Sequence, residues 1–130
     1  MVAVDAELTA ALDPILADLA GEANVVPEIR ESNWAGPQSL CADLSFDGAG
    51  VVGIMTTKGA THSTQVADLA DQIQDWAVDV LFSARRSPVW PRCPEHPDSH
   101  PLKPTESDGR AAWVCPVSSK VVAQIGLLTA

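Results

Sequence analysis

Four side chains in the last third of the chain combine types and spacing that suit a metal ion: Cys93, His96, His100 and Cys115, in the order Cys-x2-His-x3-His-x14-Cys. Two thiolates and two neutral imidazoles form a tetrahedral Cys2His2 donor set whose softness favours Zn2+. Their charge cancels that of a divalent ion, which makes such a site cheaper to shield from water. The two-residue gap between Cys93 and His96 lets the chain wrap one side of an ion in a tight turn. Pro91, Pro94, Pro97 and Pro101 restrict the loop, so less entropy is lost when metal organises it.

Other uses of these residues lead to different chemistry. A Cys93–Cys115 disulfide would need an oxidising compartment. The start of the chain, Met1-Val-Ala-Val-Asp5-Ala-Glu7, has no basic leader and no signal-type apolar stretch, so the expectation is cytoplasmic. Asp98 or water could take the fourth metal position in place of His100. Glu95 could then act as a base in a zinc-dependent hydrolase. The recognised catalytic patterns argue against this. HExxH, GxSxG, P-loop and dinucleotide-type glycine clusters are absent, and the deaminase pattern fails because no CxxC exists. A Rieske centre would need a Cys-x-His spacing that the chain lacks.

The elements that must hold these ligands follow from the surrounding residues. Arg110 to Cys115 reads as a short strand, Pro116 to Ser119 as its turn, and Lys120 to Ile125 as its partner. Glu106 to Gly109 reads as the turn before them. A proline-rich loop followed by a β-hairpin is similar to a zinc ribbon, a resemblance covering about residues 88–126. Cys93-Pro94-Glu95-His96 matches the first knuckle of such a ribbon. In the second, Cys115-Pro116-Val117-Ser118, serine stands where a ribbon usually has cysteine, so His100 must replace it or the fourth position is open. The pairing of an acidic body with a Cys-Pro-x-His tail also resembles small bacterial proteins, a likeness that implies no activity. Trp90 and Trp113 lie two or three residues before the cysteines and are expected to wall the metal site. About 40 residues bury too little to fold by hydrophobicity alone; zinc can supply on the order of 10 kcal/mol to such a unit.

Composition places a boundary upstream of the ligands. Of the 130 residues, 1–84 hold two cations and 13 acids, whereas 85–130 hold six cations and four acids. Six of the 10 prolines fall between Pro88 and Pro104. The expected organisation is an acidic α/β body over 1–87 and a proline-rich, zinc-ribbon-like module over 88–130, with packing as a single unit left open.

Within the body, Leu8, Ala11, Leu12, Ile15, Leu16 and Leu19 follow helical period over 7–20, with Gly21 as the stop. Pro14 should kink this helix, or start a shorter one capped by Asp13. Val25 to Trp34 suits an edge strand. Leu40, Ala42, Leu44 and Phe46 alternate with polar neighbours, Asp47 to Gly50 is turn chemistry, and Val51 to Thr57 returns. Residues 62–84 form the strongest helix, with Thr61 or Ser63 as cap, Arg85 and Arg86 at its C-terminus, and Asp68, Asp71, Asp75 and Asp79 off the apolar stripe. The fold class expected is α+β, an α-β-β-β-α helix-on-antiparallel-sheet body followed by the hairpin module.

That order resembles the double-stranded-RNA-binding domain over about residues 5–84. The family's lysines at the start of the last helix are missing from Thr61 to Asp68. With a net charge of −9, RNA binding is disfavoured. Cys41 reads as a buried or half-buried free thiol and His62 as a helix-start residue. No apolar run approaches a membrane span.

These readings combine into an expected function. The chain is a small zinc-binding protein with a structural metal at Cys93, His96, His100 and Cys115, acting as an interaction or adaptor protein. The competing functions are a zinc hydrolase and a weak nucleic-acid binder using Arg85, Arg86, Arg92, Lys103, Arg110 and Lys120.

Overall fold

A computed structural model describes residues 5–47 and 50–128. The start Met1 to Val4 and the centre of the expected Asp47–Gly50 turn lie outside these residues. The described chain is mixed α+β, with two long helices and two three-stranded antiparallel sheets.

Helix α1 spans Ala6–Asp18 and starts where the Asp5 side chain accepts the Glu7 N–H, an N-cap that satisfies one of the first-turn donors. Pro14 lies inside it rather than at its start. Gly21 does not end the helix. The chain continues through a π-type turn, Leu19–Ala23, and stops at Asn24, whose left-handed φ of 52° lets its N–H reach the Leu19 carbonyl at 3.0 Å. A short polar side chain tolerates that conformation, which glycine otherwise supplies.

Strands β1 (Glu28–Ser32), β2 (Ser39–Ser45) and β3 (Val52–Thr57) pair in the order β1-β2-β3. Register places Ile29 opposite Leu44 and Ala42 opposite Ile54. These side chains are buried with Leu40, forming the inward face that the alternation requires. The free edge of β3 is closed by the second helix. Gln72 accepts the Met55 N–H at 2.9 Å and donates to the Met55 carbonyl at 2.7 Å, as a neighbouring strand would.

Helix α2 spans His62–Ser83 and is capped by Thr61, which accepts the Thr64 N–H. Its end is a Schellman turn: Arg85 adopts φ 59° and donates to the Phe82 carbonyl, and Arg86 donates to that of Leu81. Asp68, Asp71, Asp75 and Asp79 are exposed. No helix among the described residues is long and apolar enough to cross a membrane.

The last third differs from the expected single hairpin. Strands β4 (Lys103–Ser107), β5 (Arg110–Val114) and β6 (Val121–Gln124) form a sheet in the order β4-β5-β6. Glu106 and Ser107, expected in a turn, belong to β4. The turn is the pair Asp108-Gly109, both at positive φ, 53° and 74°, the two-residue geometry that matches the twist of a hairpin. Pro104 disguises β4 in the sequence, and β4 tolerates it because it is an edge strand. Helix α2 packs against strands of both sheets. Side chains from both segments, Leu8 and Ile73 as well as Trp113 and Ile125, belong to one buried cluster.

Candidate metal centre

Two turns and one loop bring Cys93, His96, His100 and Cys115 together. Cys93 opens a turn closed by the His96 N–H on the Cys93 carbonyl at 3.1 Å, and a second turn follows from His96 to Ser99. Beyond His100 the chain returns alongside its own start: Arg92 bridges Pro101, and the Leu102 N–H donates to the Pro91 carbonyl at 2.8 Å. Cys115 arrives at the end of β5, where its N–H bonds to the Lys120 carbonyl and its carbonyl accepts the Ser119 N–H at 2.8 Å.

One ligand atom from each of the four lies within 4.8 Å of the others. His96 Nδ1 is 3.5 Å from Cys93 Sγ and 3.7 Å from Cys115 Sγ. Thiolate and imidazole donors on one tetrahedral zinc stand about 3.6 Å apart, given bonds of about 2.3 and 2.05 Å. Both cysteines are fully buried and both histidines half-buried.

His100 shows which of its nitrogens is free for a ligand role. Its Nδ1 lies 3.1 Å from the Pro101 carbonyl. A carbonyl only accepts, so Nδ1 carries the proton and the lone pair of the neutral ring falls on Nε2. Among the described residues, that buried Nε2 has no hydrogen-bond partner. Stranding such an acceptor costs about 1 to 3 kcal/mol, which a metal bond at that atom would offset. A backbone carbonyl on the other ring nitrogen is the usual outer partner of a ligating histidine. The cluster therefore offers Nδ1 of His96 and Nε2 of His100.

Ser118 stands where a ribbon carries its second cysteine, and its N–H lies 3.5 Å from Cys115 Sγ. The Ser118 hydroxyl and N–H, with smaller help from the Val117 N–H and the Cys93 thiol, pull the Cys115 thiol down to about 6 against the opposing effect of burial. Hydrogen bonds to sulfur favour its charged form, the form that binds metal.

The remaining candidates lie apart from this cluster. Glu95 and Asp98 are exposed on the loop and are not among the four clustered residues. Cys41 is a buried free thiol in β2, and His62 is exposed at the start of α2. Cys93 and Cys115 are likewise free thiols. Trp90 and Trp113 are fully buried and pack edge to face, with ring centroids 5.3 Å apart.

Two polar residues that the sequence reading passed over tie this region to the helices. Asp18, the last residue of α1 and fully buried, accepts from Trp113 Nε1 at 2.8 Å, the Gly126 N–H at 2.7 Å and the Leu128 N–H at 3.0 Å. Gln74 on α2 donates through Nε2 to the carbonyls of Trp90 at 3.0 Å and Leu102 at 2.6 Å. Position was the available signal. Asp18 follows Leu8, Leu12 and Ile15 on the buried face of α1, and Gln74 lies in helical register with Ala70, Ala77 and Leu81. Polar residues at core positions need partners. Gly126 approaches Pro14 so closely that a Cβ there would sit 2.8 Å from the proline ring, and its φ of +106° is one that glycine allows.

Comparisons with protein-family models, curated proteins and solved structures gave no match for this chain.

Proposed function

We propose that this chain is a small zinc-binding protein in which Cys93, His96, His100 and Cys115 hold one structural Zn2+, and that it works by binding another protein. The observation that carries the metal reading is the convergence of four ligand atoms within 4.8 Å, two sulfurs and two nitrogens. The unpartnered Nε2 of His100 and the lowered thiol of Cys115 support it. Thiolate and imidazole donors in tetrahedral number favour zinc over calcium or magnesium, which take oxygen ligands.

A set of four protein donors supports a structural rather than a catalytic role, because a zinc hydrolase keeps one position for water. The zinc-ribbon likeness remains part of this proposal: two ligand-bearing turns, one with His96 and one with Ser118 in the place of a second cysteine, beside a β-sheet. The interaction role is supported by the exposed aspartate row of α2, one sign of charge on one helix face that suits a basic partner. Nucleic-acid binding is disfavoured by the net charge of −9 and by the pairing of Arg92 with Glu22 at 3.5 Å.

Cobalt substitution tests the metal reading. The Co2+ form should show the intense visible bands of tetrahedral coordination and a sulfur-to-cobalt charge-transfer band, both removed by added zinc. Weak octahedral bands, or none, would contradict a closed Cys2His2 site.

A further inference from the structure

Between Trp90 and Leu102 the chain leaves the core, turns around three of the four clustered residues, and returns. Its neck is zipped by the Arg92–Pro101 bridge and the Leu102-to-Pro91 hydrogen bond. The carbonyls at the two sides of that neck, Trp90 and Leu102, are both held by one amide nitrogen, Nε2 of Gln74. Gln74 is 8% exposed and sits on α2, 16 residues before Trp90 and 28 before Leu102. Among the described residues no backbone donor joins those two carbonyls to the helix, so the side chain performs this link.

We propose that Gln74 is a positioning residue for the metal centre: the α2 amide clamps the neck of the Cys93–His100 loop and fixes the separation of its three ligands from one another and from Cys115. This inference rests on the reading of the cluster as a zinc site. A ligand loop clamped at its neck keeps its donors in place while one metal bond opens, so an opened ligand re-closes rather than releasing the ion. Metal retention by residues 93–115 is therefore set in part by a helix that contributes no ligand.

Gln72 provides an internal control. It lies on the same helix and also holds backbone groups through its amide, accepting the Met55 N–H and donating to the carbonyls of Met55 and Asp68, but it serves β3 and no ligand. Gln74→Met removes two hydrogen bonds to backbone carbonyls, and Gln72→Met removes three bonds to backbone groups. Gln74 is buried and Gln72 half-buried, so their stability losses need not match; a purely structural role would leave metal release alike in the two folded variants.

The experiment loads each protein with one zinc and follows its release to excess chromophoric chelator at neutral pH, beside thermal unfolding of the same samples. Groups that hydrogen-bond the ligands themselves typically contribute about 10- to 100-fold to metal affinity; Gln74 bonds the neck of the ligand loop rather than a ligand, so the low end of that range sets the scale. Gln74→Met should release zinc at least about 10-fold faster than wild type, and Gln72→Met within about 2-fold of it. Gln74→Asn, which keeps an amide one methylene short, should fall between, and it carries the test if Gln74→Met does not fold. Equal release from the Gln74 and Gln72 variants would overturn the positioning role while leaving the zinc site standing. Failure of wild type to hold zinc would instead remove the reading on which this proposal rests.

Discussion

Asp18→Ala is the substitution that most directly asks whether the two halves of the chain act as one. It removes a carboxylate shared by Trp113 Nε1 and the N–H groups of Gly126 and Leu128. Trp113 has no exposure, so its orphaned N–H costs about 1 to 3 kcal/mol. Gly126 and Leu128 are half-buried and their N–H groups can recover water, so each forfeits on the order of 1 kcal/mol. Relief of the desolvation of the buried carboxyl group offsets part of this. The net loss is about 3 kcal/mol, a large share of a stability of about 5 to 15 kcal/mol, and it should lower Tm by about 10 °C. The assay is thermal unfolding of the zinc-loaded protein, followed by far-ultraviolet circular dichroism for the helices and by tryptophan fluorescence, to which Trp90 and Trp113 contribute. Both signals should shift together in a single transition. A variant within about 0.5 kcal/mol of wild type, or one that loses the fluorescence transition while its helices melt unchanged, would refute the argument that Asp18 couples the segments.

Cys115→Ser should abolish stoichiometric zinc binding and lower the unfolding midpoint of the entire chain, whereas Cys41→Ala, outside the cluster, should retain one zinc; metal analysis of the two purified variants checks both. The lowered Cys115 thiol gives the metal-free protein a pH dependence with a defined sign. Its folded value of about 6 lies below the ordinary thiol value of 9.0, so its contribution is complete above about 9 and is lost as pH falls through about 6. Urea midpoints of reduced, metal-free protein should therefore rise from pH 6 to 9, and a flat profile would contradict the role assigned to Ser118.

The parts of the fold governed by local pattern were legible in the sequence. The periodicity of Val66 to Leu81 and the alternation of Leu40 to Leu44 mark α2 and β2 because a one-sided core imposes those periods. What the sequence concealed depends on long-range partners or on exceptions to common residue preferences. Asn24 replaces a glycine stop, so α1 continues through Gly21 to a later end. Pro104 hides an edge strand. Asp18 and Gln74 read as ordinary helix residues, because their donors and acceptors lie 95 and 28 residues away. In the candidate site, spacing and donor type identified the residues that the fold draws together. Spacing does not specify which nitrogen of each histidine faces the cluster; that follows from the Pro101 carbonyl beside His100 and the two sulfurs beside His96.

The most direct test is the metal shell itself, measured by elemental analysis and zinc X-ray absorption on reduced, fully purified protein. A closed Cys2His2 site requires one zinc per chain bound by two sulfurs at about 2.3 Å and two nitrogens at about 2.0 to 2.1 Å. A protein without stoichiometric zinc, or a zinc with an oxygen from water in its fourth position, would contradict it.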